Sequence, residues 1–356
     1  MFRIRLHKDD LNILQKIQEI LGVGRITMNG NSCLFTITNV KDLRTVLFPL
    51  LDKYHLYSVK WLDYLDFKKA VLFLSESNST RVSVSQLDWV KNIINDMNTG
   101  RTEYNCSLIP DIAVNPYWLL GFVEAEGTFG FKNLSPYFQV GQHVKNLFVL
   151  EAIASYFKST PKSFKFSLRS GAPTVINSFN KNTSVSVISI LSIDALYDYL
   201  LFFFLNMPFQ SRKGVDFYFW CIVLHLHKLV YFYFKEGRSL TYAISQYVNS
   251  GRYSTNPNQA QAPSLTEINQ VLNLSLPVTL KPDMLHIDLA KAFASKVKPR
   301  SIWVYDNGEL LTENPFSSFV HAMEAIGYSK SSIAGRRSID TGKIIGGRYT
   351  FYSKPQ

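Results

Sequence analysis

Period-two alternation opens the chain. Phe2, Ile4 and Leu6 alternate with Arg3 and Arg5, which predicts a strand, and Leu11, Leu14 and Ile17 then recur at the spacing of one helical face. That order returns. FQVGQHVKNLFVLEAIASYF (residues 138–157) lies over FRIRLHKDDLNILQKIQEIL (residues 2–21) at an offset of 136, which sets Leu147, Leu150 and Ile153 opposite Leu11, Leu14 and Ile17. Farther along, FQSRKGVDFYFW (209–220) lies over LYSVKWLDYLDF (56–67) at an offset of 153, matching Ser211 with Ser58, Lys213 with Lys60 and Asp216 with Asp63. Two copies of one unit of strand, helix, strands and helix are expected, the second lengthened by an insertion in the Ser/Thr/Asn-rich stretch Ser170 to Thr183.

In the second copy Ser163, Lys165, Ser167 and Arg169 alternate with Phe164, Phe166 and Leu168, so each sheet carries one oily face and one basic or hydroxylic face. Such a face is either plainly solvated or fitted to a polyanion. The charge balance favours a polyanionic partner, since 38 Lys and Arg against 27 Asp and Glu leave a net charge of +11. With 46% hydrophobic and 18% charged residues the chain is globular rather than disordered. Twenty-six Phe and nineteen Tyr are residues of A/T-rich codons, as in the genes of organelles and of some bacteria. Cys33, Cys106 and Cys221 stand singly, which predicts buried thiols and neither a disulfide framework nor a zinc site. The start, MFRIRLHKDD, carries two acids by residue ten and reaches no apolar core of signal-peptide length, which predicts no secretory or transit segment. Phe217 to Phe234 is long and apolar, yet His225, His227 and Lys228 fall in its middle, so a buried helix followed by a strand-like aromatic run is expected rather than a membrane span.

NPYWLLGFVEAEGTFG (115–130) predicts a helix capped by Asn115 and opened by Pro116. Gly121 and Ala125, four residues apart, make a small-residue stripe for close approach of a second helix. Glu126 ends the helix before Gly127, which is expected in the left-handed C-cap conformation. A carboxylate there opposes the helix dipole and is better placed beside a cation. Hard divalent ions prefer such carboxylate and carbonyl oxygens.

LLGFVEAEG (119–127) resembles the signature of the LAGLIDADG homing endonucleases, with Gly at its third place, acids at its sixth and eighth, and a closing Gly. The flanking repeats, FQVGQ (138–142) and the Lys60 and Lys213 segments resemble that family too, over about residues 1–255. The resemblance implies an α+β fold of two αββαββα repeats packed through their signature helices, with saddle-shaped sheets in the DNA major groove. It implies Glu126 as the metal-ligating acid, Gln142 as the water-positioning residue and Lys213, with Lys60 as its counterpart, as the active-site lysine. It also implies Mg2+ or another divalent cation, and no small-molecule cofactor. Arg3, Arg5, Arg25, Ser163, Lys165, Ser167 and Arg169 become the expected groove contacts. Two departures stand out. Leu6 occupies the place of Gln142, and copy one begins at Phe2 with no counterpart of Tyr117 to Tyr137, so the first signature helix and its second acid are expected to be encoded upstream or lost.

The domains are expected at 1–99, 100–255 and 299–356, with 256–298 as a polar tether holding one helix from Asp288 to Lys296. In the last segment IWVYDNGELL (302–311) predicts two strands around a tight turn at Asn307-Gly308. Pro315 should open a helix bearing Phe319, Met323 and Ile326 and ended by Gly327; a second helix follows Ser329, and RYTFYSK closes as a strand. This segment resembles the helix-turn-helix modules appended to homing nucleases, which implies Ser331, Ser332, Arg336 and Arg337 on bases and Lys343 and Arg348 on phosphate. The function expected is a site-specific, metal-dependent endonuclease of intron homing, organelle-encoded and mitochondrial, acting on double-stranded DNA and not on membranes. The alternative is a maturase that binds host intron RNA without catalysis, since phosphate attraction serves both.

Overall fold

A computed structural model describes residues 1–76, 83–159, 175–281, 283–296, 301–329 and 333–356, with backbone alone for Arg252, Ile333 and Ala334. The chain divides into two compact units, Met1–Gly121 with Gly141–Thr160 and Phe179–Val187, and Phe122–Val140 with Pro161–Ser178 and Ile188–Gln356. No helix among the described residues is long and apolar enough to cross a membrane.

The first copy runs β1 (Phe2–His7), α1 (Leu11–Leu21), β2 (Arg25–Asn29), β3 (Ser32–Ile37), α2 (Val40–Asp42), a π-helical turn at Leu43–Leu47, α3 (Phe48–Lys53), α4 (Lys60–Glu76) and α5 (Val84–Asn95). Its strands are ordered β1-β3-β2, all antiparallel. Alternation sends Phe2, Ile4, Leu6 and Ile26 onto a core of Leu14, Phe35, Ile37, Leu43, Phe48 and Trp61, with Leu11 and Ile17 of α1 packed beside them. On the other face Arg3 and Arg25 lie in register with Thr36 between them, and Arg5 Nε donates to Ser32 Oγ at 3.0 Å.

Next come α6 (Pro116–Glu126), β4 (Gly127–Lys132), β5 (Ser135–His143), α7 (Leu147–Ser159), β6 (Val175–Asn180), β7 (Val185–Ile190), α8 (Ile193–Ala195), a second π-helical turn at Leu196–Leu200, α9 (Leu201–Leu205), α10 (Lys213–Lys228) and α11 (Lys235–Tyr247). The sheet is ordered β4-β5-β7-β6. Ser163, Lys165, Ser167 and Arg169 lie outside the described residues, as does part of the insertion at 170–183.

The repeat goes deeper than its hydrophobic pattern. His7 and His143 each close their strand by accepting the N–H two residues on, at 3.2 and 3.3 Å. The π-helical turns recur at the offset of 153. Asp63 accepts the Asn98 N–H at 2.9 Å and Asp216 accepts the Asn249 N–H at 2.8 Å, each asparagine being left-handed, with φ of 56° and 57°. NTGR (98–101) and NSGR (249–252) are thus one device at the end of each copy.

The run after α10 is not a strand. Val230 at φ 61° turns the chain into a 3-10 turn, Tyr231–Tyr233, which stacks Phe232 on the buried His227 ring at 4.0 Å between centroids. Burial depresses the His227 pKa to about 3, which leaves the ring neutral, and its Nε2 pairs with the Leu134 carbonyl at 2.9 Å. Lys228 pairs with Asp194 and Asp198. Cys106 is exposed rather than buried, because it lies in a short turn, Cys106–Leu108, in the connection to α6.

Residues 256–298 are not a bare tether. α12 (Leu265–Leu272) buries Ile268 and Val271 against Phe219, Leu226 and Ile244, and α13 (His286–Lys296) buries Leu289 and Phe293 beside Val230. The C-terminal segment holds β8 (Trp303–Asp306), β9 (Glu309–Leu310), α14 (Phe319–Ala325), α15 (Ile333–Ser338) and β10 (Tyr349–Tyr352), with strand order β10-β8-β9. The turn has Asn307 and Gly308 at φ 51° and 92°, as the sequence predicts. α14 starts at Phe319 under a Ser318 cap, not at Pro315, because Phe316 first pairs with Ile302 as a β-bridge.

Candidate active site

Asn115 Oδ1 accepts the N–H groups of Tyr117 and Trp118 at 3.1 and 3.0 Å, which fixes the start of α6. Leu119 and Val123 are fully buried, while Gly121, Ala125 and Glu126 are exposed. A Cβ built on Gly121 would meet open space. Gly127 does not take the left-handed conformation. It begins β4 directly, and a Cβ there would stand 2.6 Å from both Val123 Cγ1 and the Val123 carbonyl oxygen. The closing glycine is therefore required by close approach, and Gly127→Ala is expected to cost about 1–3 kcal/mol in urea or thermal unfolding.

The two acids of α6 do different work. Glu124 accepts the N–H groups of Gln210 and Ser211 at 2.7 and 2.6 Å, at the entry to α10. Glu126 makes no hydrogen bond or ion pair among the described residues. Two residues beyond Ser211 stands Lys213, whose Nζ donates to the Gly127 carbonyl at 2.6 Å. Glu126 and Lys213 are thus brought to the same end of α6, one cation on the carbonyl that follows the bare carboxylate.

Gln142 and Lys60 belong to the first unit. Gln142 Oε1 accepts from Asn146 Nδ2 at 2.9 Å, and Asn146 Oδ1 accepts the Val59 N–H at 3.0 Å, one residue before Lys60. Lys60 Nζ is engaged by Asn98 Oδ1 at 2.8 Å and Asp63 at 3.2 Å, where its counterpart Lys213 donates to the Gly127 carbonyl. Burial raises the Asp63 pKa, but the Asn98 N–H, Arg101 and Lys60 outweigh it and hold the carboxyl below its ordinary value. Asn98 and Asn146 carry no signal in the sequence analysis, though the matched NTGR and NSGR point to the first; Glu124 appears there only as the sixth residue of the signature, with no partner assigned.

Of the C-terminal candidates, Arg336 is exposed over the Phe319 ring and Lys343 is half-buried. Arg337 turns inward, reaching the Asn133 carbonyl at 3.4 Å, and Arg348 is held by both oxygens of Asp306. Ser331 and Ser332 lie outside the described residues.

A duplicated α+β chain, with a bare carboxylate ending the helix between its copies, has the architecture of a nucleic-acid-cutting class. The family model for the LAGLIDADG endonucleases matches residues 1–71 and 119–224, and the chain belongs to that family, whose members hydrolyse DNA phosphodiester bonds with divalent metal ions. It is 25% identical to the uncharacterized mitochondrial protein RF1 of Saccharomyces cerevisiae, over 98% of this chain and 75% of that protein. It is 28% identical to probable intron-encoded endonuclease 3 of Neurospora crassa, over 62% of this chain and 43% of that one. Among solved structures it is similar in fold to I-GzeII in complex with its DNA target, at 23% identity and a TM-score of 0.59 over 71% of this chain and 89% of that one. The meganuclease I-SmaMI bound to DNA is similar at 22% identity and 0.58, over 71% and 87%.

Proposed function

We propose that the chain is a mitochondrial, intron-encoded endonuclease that makes double-strand breaks at a specific DNA site with Mg2+. The observation that carries the reading is the unengaged Glu126 carboxylate at the end of α6, with Lys213 Nζ on the carbonyl of the next residue. Relatives named as mitochondrial or intron-encoded support the compartment and the genetic setting. The donor set suits a hard cation. It offers one carboxylate and nearby carbonyls, the oxygen donors that would suit Mg2+. When bound, the ion lowers the pKa of an attacking water and neutralises charge on the phosphate.

Glu126 holds that ion. Lys213 supplies a fixed positive charge toward the phosphate, Gln142 orients the reacting oxygen, and Lys60 steadies the end of its own copy. Arg3, Arg5 and Arg25 present a basic row to the backbone of the duplex, with Ser163, Lys165, Ser167 and Arg169 as the second copy's contacts and Arg336 and Lys343 as those of the C-terminal segment. Gly121 and Ala125 form the face that receives a second signature helix. Gly121→Ala is accordingly expected to stabilise the chain by up to about 1 kcal/mol of helix propensity, seen as a higher melting temperature, while lowering cleavage. A fall in melting temperature would contradict the open space beside Gly121.

The direct test offers the full chain a supercoiled plasmid library of intron-insertion junctions with Mg2+. Nicking at one site is expected from the single acid of α6, and linearisation once a second signature helix supplies its own acid. Stimulation of intron splicing with no DNA cutting under any divalent ion would overturn the nuclease and favour the maturase.

A further inference from the structure

Asn146 is buried, at 9% exposure, and its hydrogen bonds leave no freedom in how its amide is turned. The Val59 partner is a backbone N–H, which can donate and nothing else, so the atom facing it is Oδ1. Nδ2 therefore faces Gln142, and the Gln142 atom that meets a donor must be Oε1. The consequence falls on the other end of Gln142. Its Nε2 has no acceptor among the described residues, so two protons are presented outward and the carbonyl oxygen is used up inside.

The two copies differ at this point together. Where copy two has Gln142 and Asn146, copy one has Leu6 and Asp10 at the offset of 136. Asp10 is as buried as Asn146, at 8% exposure, so the fold accepts a carboxylate at this place. An amide appears in the copy that has a glutamine to orient. A carboxylate could accept the Val59 N–H equally well, but it could not donate to Gln142, and the glutamine would turn its NH2 group inward to meet it.

We infer that Asn146 is a positioning residue, which holds Gln142 so that it meets the reacting centre as a hydrogen-bond donor and not as an acceptor. The inference rests on the reading of Gln142 as a residue of the cleavage site. A donor in that place grips a lone pair of an attacking water or a phosphate oxygen. An acceptor would instead receive a hydrogen bond from the water and meet phosphate oxygen with repulsion.

Asn146→Asp is the test, with two readouts. By NMR of the full chain, the Gln142 side-chain amide is identified by its loss in Gln142→Leu. In the parent both protons should exchange freely with solvent, and in Asn146→Asp one should be slowed by the new acceptor. An amide already protected in the parent, or unchanged in the variant, overturns the inference. On a cleaved target, Asn146→Asp should keep DNA affinity and lower the single-turnover cutting rate about 10- to 100-fold. Gln142→Glu, which leaves Asn146 in place yet turns an acceptor outward, should show the same loss. In a Gln142→Leu background Asn146→Asp should cost nothing further. An equal loss in that background, or parental cutting by Asn146→Asp, overturns the positioning role. Parental cutting by Gln142→Leu instead removes Gln142 from the site, which is a failure of the functional reading and is seen separately.

Discussion

Glu126→Gln is expected to lower double-strand cleavage on the order of a thousandfold while leaving DNA affinity within a few fold. The substitution keeps size and shape and removes the negative charge, which is what a divalent cation is held by. Folding should be indifferent to it, because the carboxylate is exposed and engages nothing among the described residues. Relief of an acid at a helix C-terminus should even favour the helix slightly. Glu124→Gln is the contrasting control. Its carboxylate accepts two backbone N–H groups, one oxygen to each, so the amide can satisfy one and must turn a donor toward the other. That change is expected to destabilise the chain by about 1–3 kcal/mol, with cleavage falling through the displaced Lys213. The pair of variants is read by single-turnover cutting with magnesium beside a thermal melt. Undiminished cutting by Glu126→Gln would remove this residue from the chemistry.

What the sequence revealed followed from the range of the interaction behind each feature. Strand alternation and the Leu11, Leu14, Ile17 face are local and periodic, so β1, α1 and their copies in the second repeat were legible. The function of Gly127 was not, since a helix-ending glycine usually signals a left-handed cap, and here the constraint is the Val123 backbone a turn away. α12 was passed over inside a polar stretch, although Ser264 and Glu267 form a capping box that marks its start. Its two buried positions, Ile268 and Val271, are too few for hydrophobic periodicity to stand out. The role of Asn146 depends on a backbone N–H 87 residues away, which no local pattern encodes. The helix-turn-helix resemblance implies Arg337 and Arg348 as nucleic-acid contacts. A motif resemblance says nothing of a partner carbonyl at Asn133 or a carboxylate at Asp306, and those partners occupy the two arginines.

The clearest long-range feature lies between α11 and the C-terminal segment, both within the second unit. Arg238 and Asp340 are 6% and 5% exposed, and Arg238 Nη2 meets Asp340 Oδ2 at 2.7 Å. The remaining valences are filled as well. Arg238 donates to the carbonyls of Ile339 and Tyr233 at 2.7 and 2.9 Å, and Asp340 accepts the Ser353 N–H and hydroxyl at 2.6 and 2.8 Å. Breaking such a pair from one side leaves a desolvated charge without its counter-ion, so Asp340→Ala is expected to destabilise the second unit by about 3–5 kcal/mol. For a body of this size that is a fall of roughly 6 to 20 °C in its melting transition. Independence of residues 299–356, which the polar sequence before them suggests, is therefore not expected. Deleting them should strand Arg238 and lower the stability of what is left, rather than trim a free module. The acid dependence has a definite sign. Burial raises the Asp340 pKa, but Ser353 and Arg238 outweigh it and hold the folded value below the ordinary carboxylate. Its contribution is thus complete above the unfolded pKa near 3.8 and is lost as pH falls through the depressed folded value. Urea melts of the parent and Asp340→Ala at neutral pH and in acid should converge as this group is protonated in both states. Equal midpoints for the two proteins at neutral pH would show that the buried pair holds nothing together.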